Sequence, residues 1–232
     1  MNNFYTFIVT STINASEKLF EVGPRFVETI ETLQSIRTKV PDSRIIFIDN
    51  SVTPLAIEQK QLIDQLTDIS IYAEPNLFLQ FSNNSGLKSI GEAYILYIAM
   101  NKMKENDLVG KRVFKMSGRY KLSDTFDISF YDNETFINKY IFHKTRHKFG
   151  IDQVPSIKDV YDTKLYSLCH TLIDEYLNLI PVMFTSMMAN IGNSLSLWEV
   201  SNYDHIEKEK VILVDFLHFE RSEEHTSELQ SH

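Results

Sequence analysis

The first fifty residues constrain the fold more than any other stretch of the chain. Phe4 to Thr10 (FYTFIVT) is a short run of β-branched and aromatic residues, the pattern of a buried strand. From Arg25 to Val40, RFVETIETLQSIRTKV sets Phe26, Ile30, Leu33 and Ile36 at helical spacing, and Pro41 is the stop. Ser43 to Ile48 (SRIIFI) reads as a second strand, closed by Asp49-Asn50-Ser51. A strand, an amphipathic helix and a strand in this order predict a βαβ unit with a parallel pair, and so an α/β protein.

Further along, Ala56 to Leu66 reads as a helix and Ile69 to Tyr72 as a third strand. Pro75 to Leu87 is a loop rich in Asn and Ser. Ile90 to Met103 carries apolar residues around most of its surface and predicts a well-buried helix. Val113 to Met116 is the next strand. Ile128 to Tyr131 and Lys139 to His143 are expected to pair as a hairpin around Asp132-Asn133-Glu134. Leu165 to Met188 is expected to be largely helical, kinked or broken at Pro181. Ser194 to Val200 opens another helix, and Lys210 to Phe216 is a last strand. Without repeats, low-complexity tracts or an evident linker, residues 1–220 are expected to form one domain, with halves at about 1–122 and 123–220.

Composition removes several classes of function. The formal charge is −8, and Lys and Arg are scattered, with no basic block beyond Lys139 to Lys148. No nucleic-acid surface is therefore expected. The lone cysteine, Cys169, rules out an internal disulfide and a cysteine-based zinc site, which fits a reducing compartment. The opening MNNFYTFIVTST lacks a basic start and a small-residue cleavage site. No window reaches the ~18 apolar residues of a membrane span. The expected location is the cytoplasm. The last twelve residues, RSEEHTSELQSH, match the in-frame translation of a common short-read sequencing adapter, so Arg221 to His232 are expected to lie outside the fold and the native C-terminus to be missing. Without that tail the net charge is −6.

The turn after the first strand is Ser11-Thr12-Ile13-Asn14, without glycine. A dinucleotide-binding unit needs a Gly-rich turn there so that the backbone can approach a pyrophosphate. The same absence argues against a methyltransferase, and no GxxxxGK[ST] phosphate loop occurs. Asp49, at the end of the second strand, has two readings: a carboxylate for a ribose or a base N–H, or a turn residue that caps the next helix.

Taken in order, FIVTSTIN, RFVETIETLQSIR, IIFIDNS, KSIGEAYILYIAM and FKMSGRYKL resemble the nucleotide-binding half of glycosyltransferases of the GT-A fold. The resemblance covers roughly Phe4 to Leu122. It implies a Rossmann-type βαβ sheet flanked by helices, with a helical C-terminal part forming the acceptor side. It places Thr10, Ser11 and Asp49 at a nucleotide base and ribose. Lys88 to Ala93, including Glu92, would lie near the ribose and pyrophosphate.

One departure matters. Many such enzymes hold Mn²⁺ or Mg²⁺ with an Asp-x-Asp at the end of the fourth strand, and no Asp-x-Asp occurs in this chain. The equivalent place reads Ser117-Gly118-Arg119-Tyr120. No motif supports a metal, and no cofactor is expected. Gly118 would allow close backbone approach, Arg119 would neutralise phosphate with its planar fork, and Ser117 and Tyr120 would add neutral donors. Lys115, Lys88 and Lys121 would add charge if they face the cleft. The competing reading is a tight turn with Gly118 at positive φ, Arg119 paired to a surface acid and Tyr120 packed by its ring.

A transfer base would be Asp124, Asp127 or Glu199, the last beside the only tryptophan, Trp198. Each has a structural alternative, turn caps for the two aspartates and core packing for the tryptophan. His143 and His147 lie in a segment that looks extended, so a helical metal pair is not expected. Cys169 and His170 are expected to be structural. The sequence thus carries two functions: a glycosyltransferase with a nucleotide-sugar donor and a glycan acceptor, or a non-catalytic or truncated nucleotide- or glycan-binding domain on the same scaffold. A nucleotidyltransferase is a weaker third, because its phosphate loop and metal-binding acids are missing.

Overall fold

A computed structural model describes residues 2–14, 22–74, 79, 82, 87–149, 156–192 and 196–221. The N-terminal βαβ unit is present as β1 (Tyr5–Ser11), α1 (Val22–Lys39) and β2 (Arg44–Asp49), followed by α2 (Ile57–Leu66) and β3 (Ile69–Tyr72). Next come α3 (Lys88–Glu105), β4 (Arg112–Ser117) and the short β5 (Tyr120–Leu122). The second half holds β6 (Tyr140–Phe149), β7 (Ser156–Cys169), α4 (Ile173–Ala189), α5 (Trp198–His205), β8 (Val211–Val214) and β9 (Phe219–Arg221).

The fold is α/β. Seven strands form one mixed sheet in the order β3-β2-β1-β4-β7-β6-β8. The first four are parallel, and β7 runs antiparallel to both β4 and β6. Strand alternation divides the core between two faces. Phe7, Val9, Ile45, Phe47 and Phe114 point to one face, with Leu33, Ile36 and Ile63 from α1 and α2. Ile8, Ile46, Ile48 and Val113 point to the other, beneath α3, α4 and α5. Each of these side chains, once fully buried, contributes about 1.5–3 kcal/mol relative to exposure. Among the described residues, no helix is long and apolar enough to cross a membrane.

The second half departs from the sequence reading in three places. Residues 128–132 and 134–136 are short 3-10 turns and not half of a hairpin. Asp127 accepts from Ser129 N at 2.9 Å and Asn133 from Thr135 N at 2.9 Å, so each caps its own turn. The strand at 140–149 pairs instead with β7 and β8. Residues 165–169 are strand and not helix: Leu165 packs on one face of the sheet and Tyr166 and Leu168 on the other. A strand buried on both faces gives a continuous apolar run, which periodicity cannot tell from a helix. Finally, α4 runs unbroken through Pro181.

The segment set aside as foreign also reaches the fold by one residue. Arg221 pairs with Tyr120 in the β5–β9 ladder, while 222–232 lie outside the described residues. The C-terminal half has α4 and α5 but contributes β6, β7 and β8 to the same sheet as the N-terminal half.

Candidate functional site

The parallel strands β1, β2 and β4 all end on one edge, and several of the side chains singled out in the sequence lie there in three groups. The first is built on Asp49. Its Oδ1 accepts from Ile13 N at 2.9 Å and its Oδ2 from Ser51 N at 3.0 Å. Asn14 N donates to Ser51 Oγ at 2.7 Å, and Thr12 Oγ1 donates to Asn50 Oδ1. Asp49 therefore ties the loop after β1 to the loop after β2 as a turn residue; it does not cap the next helix, whose N-cap is Ala56. Burial raises its pKa above the usual carboxylate range, and the bonds from Ser51 and Ile13 oppose that rise. The same residue lines a cleft of about 90 Å³ with Ser51, Lys60, Tyr72 and Glu74. Lys60 Nζ stands 4.9 Å from the Tyr72 ring centroid. Sequence reading missed Lys60 and Tyr72, because one lies within α2 and the other ends β3, and neither belongs to a motif.

The second group surrounds the turn between β4 and β5. Thr10 and Ser11 are buried, and Gly118 N donates to Thr10 O at 2.8 Å. A Cβ on Gly118 would stand 3.1 Å from Ser11 Cβ and 3.3 Å from Thr10 O. The glycine is needed for that close approach and not for a positive φ, which among described glycines belongs to Gly192. Thr29 Oγ1 donates to Gly118 O at 3.1 Å and meets Ser11 Oγ at 3.0 Å. Arg119 Nε donates to the buried Glu28 carboxylate at 3.1 Å. Arg25, one turn before Glu28 on α1, donates to Thr12 O at 2.9 Å.

Lys88 begins α3 beside them. Burial lowers the pKa of Arg25, and repulsion from Arg119 adds to it; burial likewise lowers that of Lys88, with Arg25 and Arg119 adding to it. Three cations from α1, the β4–β5 turn and the start of α3 thus lie within one another's field. Lys88 also brings the amide-rich, positive end of a helix dipole to the place. Ser117 is half-buried at the end of β4. Tyr120 packs edge-on against Phe219 at 5.4 Å, with Lys164 Nζ 5.8 Å from its ring centroid. Lys121 pairs with Glu220 at 3.3 Å, on the small β5–β9 sheet.

The third group is a buried acid–base cluster. Lys115, 1 % exposed, donates from Nζ to Glu92 Oε1 and to Thr163 O, the latter at 2.8 Å. Thr163 Oγ1 donates to Glu199 Oε1 at 3.2 Å. A register shift in the β6–β7 pairing makes this possible, since Ile141 pairs with Ser167 but His143 with Asp162. The extra residues on β7 let Thr163 meet Lys115 of β4 and Glu199 of α5, the re-aiming that bulges perform. Burial raises the Glu199 pKa, and Glu92 raises it further, against Thr163 and Lys115. Glu92 and Lys88 are four apart on α3 and share a face, so this cluster adjoins the cationic group.

Two sequence candidates fall elsewhere. Asp124 is exposed and pairs with Lys39 at 3.0 Å. Lys39 is in the last turn of α1, fourteen residues from Arg25 and about 21 Å along the helix. Asp127 is exposed and serves as a cap for its own 3-10 turn. Glu199 alone of the three candidate bases is gathered with Glu92 and Lys115. Among the described residues, no three His, Cys, Asp or Glu side chains gather to hold a metal. The stretch where the resembled family places its metal-binding acids offers a serine, a glycine, an arginine and a tyrosine, a donor set that does not fit a hard divalent cation.

No protein-family model matches the chain, and no curated protein matches it. Among solved structures, it is similar to a glycosyltransferase involved in the glycosylation of the major capsid of PBCV-1, with a TM-score of 0.49 and 10% identity, over 90% of this chain and 81% of that one. It is similar to mouse xyloside xylosyltransferase 1, with a TM-score of 0.48 and 10% identity, over 92% and 85%. It is also similar to 4-diphosphocytidyl-2C-methyl-D-erythritol synthase from Anaerococcus prevotii, with a TM-score of 0.45 and 16% identity, over 91% and 86%.

Proposed function

We propose that this chain is a glycosyltransferase that takes a nucleotide-sugar donor and passes the sugar to a hydroxyl of a glycan acceptor, with side-chain cations in the place of a metal. The observation that carries the reading is the meeting of Arg25, Lys88 and Arg119 at the sheet edge, beside Glu92, Lys115 and Glu199. Cations stabilise a departing diphosphate, and a carboxylate of raised pKa is a competent proton acceptor.

In this reading the base and ribose occupy the cleft of Asp49, Ser51, Lys60 and Tyr72. The diphosphate lies over the start of α3, against Arg119, Lys88 and Arg25, with Ser117 and Tyr120 at its margin. Glu199 takes the proton of the acceptor hydroxyl as the oxygen bonds to the anomeric carbon. The bond from that carbon to the diphosphate oxygen breaks, and its electron pair leaves with the nucleotide. Lys115 holds Glu92 in place and, by its charge, limits the rise in the Glu199 pKa.

The test is nucleotide release from a panel of UDP-, GDP-, dTDP- and CMP-sugars, with EDTA or with Mn²⁺. The expected result is turnover of one donor that persists in EDTA and is lost in Arg119→Ala. Binding of a nucleotide or glycan without release of product from any donor would favour the non-catalytic binding domain instead.

A further inference from the structure

Glu28 is not part of any motif, yet it faces two members of the cationic group, Arg119 and Arg25. Its carboxylate is 5% exposed, and Arg119 Nε donates to it at 3.1 Å. It also acts favourably on Arg25, one turn away on the same helix. Its neighbour Thr29 donates to the carbonyl of Gly118, the residue before Arg119. Consecutive residues of α1 therefore grip consecutive residues of the β4–β5 turn, one by the backbone and one by the side chain.

A buried carboxylate beside a phosphate site has two opposite physical consequences. Its charge repels an incoming anion and should weaken binding. Its hydrogen bond fixes the plane of the guanidinium and should strengthen binding, because an arginine already held loses less freedom when it meets a phosphate. The Nε contact engages one of the five guanidinium donors, and four others belong to the two terminal nitrogens, the fork that suits phosphate oxygens. The turn backbone is itself pinned by Thr29 and by Gly118 N to Thr10 O, so the Glu28 contact acts on the orientation of the side chain and not on the turn.

We propose that Glu28 is a positioning residue for diphosphate binding, holding Arg119 in the orientation that meets the anion, and that this effect outweighs its repulsion. The proposal rests on the donor-site reading above. It assigns the substrate contact of that site to a phosphate-bearing group presented to a pre-set guanidinium.

The experiment is calorimetric titration of the full chain with inorganic pyrophosphate and with UDP and GDP. The proteins are wild type, Glu28→Gln, Glu28→Asp, Arg119→Ala and the Glu28→Gln/Arg119→Ala double variant. Glu28→Gln should weaken binding about tenfold although it removes a repelling charge, and the double variant should bind no more weakly than Arg119→Ala alone. Glu28→Asp keeps the charge and withdraws the carboxylate by one methylene, so it too should bind more weakly, and it remains informative if the Gln variant fails to fold. Equal or tighter binding by Glu28→Gln, or unchanged binding by Glu28→Asp, would overturn the role of Glu28 while leaving the donor site intact. Wild type that binds none of the three probes would overturn both.

Discussion

Thr29 of α1 and Gly118 of the β4–β5 turn are joined by a hydrogen bond of 3.1 Å from hydroxyl to carbonyl. That bond, with Ser11 Oγ 3.0 Å from Thr29 Oγ1, packs helix, turn and first strand so closely that a Cβ at position 118 would press on Ser11. Gly118→Ala is expected to lower stability by about 1–3 kcal/mol, the range for overpacking. Ser11→Gly, which removes the nearest opposing Cβ, should restore part of the loss. Chemical denaturation of the single and double variants measures both.

Gly110 provides a harsher case. A Cβ there would overlap the backbone carbonyl of Phe4, which cannot swing aside as a side chain can. Gly110→Ala should therefore cost more stability than Gly118→Ala, about 3 kcal/mol or more. Matched denaturation curves decide the order.

Arg119→Ala and Lys88→Ala should each weaken nucleoside diphosphate binding by about 10–100-fold, since a charge-assisted hydrogen bond is worth roughly 1.5–3 kcal/mol. Losing Lys88 relieves its repulsion with Arg25 and Arg119, so the unfolding midpoint should not fall. Titration with the nucleotide that wild type prefers checks the affinity, and thermal unfolding checks the fold.

Glu199 gives a signed pH dependence. Its pKa is raised by burial, with Glu92 adding to the rise. A carboxyl raised in the folded state contributes stability below its unfolded value of about 4.3, and loses it as pH rises through the folded value. Glu199→Gln should therefore unfold at a higher temperature than wild type near pH 7 and converge with it below about pH 4. The same variant should lower transfer by about 10²–10⁴-fold while donor binding persists. Glu92→Gln removes one cause of the rise, so the acid limb of the rate profile should move to lower pH.

Pro181 is exposed inside α4, and it has no N–H to give to the Leu177 carbonyl one turn back. Pro181→Ala should stabilise the protein by about 1–3 kcal/mol without altering donor binding. Denaturation and titration of the one variant test both halves of that statement.

The N-terminal half was readable because its elements are local. Leu33 and Ile36 repeat at helical spacing, and FYTFIVT and SRIIFI are short apolar runs between turn residues. The second half was less so, because its strands depend on distant partners. Tyr140 finds Leu168 and Val211, and nothing near Asp132 in sequence announces either. Pro181 promised a break that tertiary packing of Ile180 and Met183 overrides. At the site, SGRY marked a place worth examining, and the structure puts Arg119 and Lys88 together. Arg25 and Glu28 stayed hidden, since a charged pair on the polar-looking start of an amphipathic helix gives no sign of facing inward. The register shift that brings Thr163 to Lys115 and Glu199 was equally invisible, because it exists only in the pairing of β6 with β7.

The most direct test of the donor-site account is thermal unfolding of the full chain with UDP, GDP, CMP and dTDP and their sugars, each in EDTA and in Mn²⁺. A ligand at ~100 times its dissociation constant should add roughly 2.7 kcal/mol, a readily measured rise in midpoint. The account predicts a rise for one nucleotide that is the same in EDTA and Mn²⁺ and is absent in Arg119→Ala. A folded wild type whose midpoint no nucleotide moves, or a rise that Arg119→Ala retains in full, would contradict it.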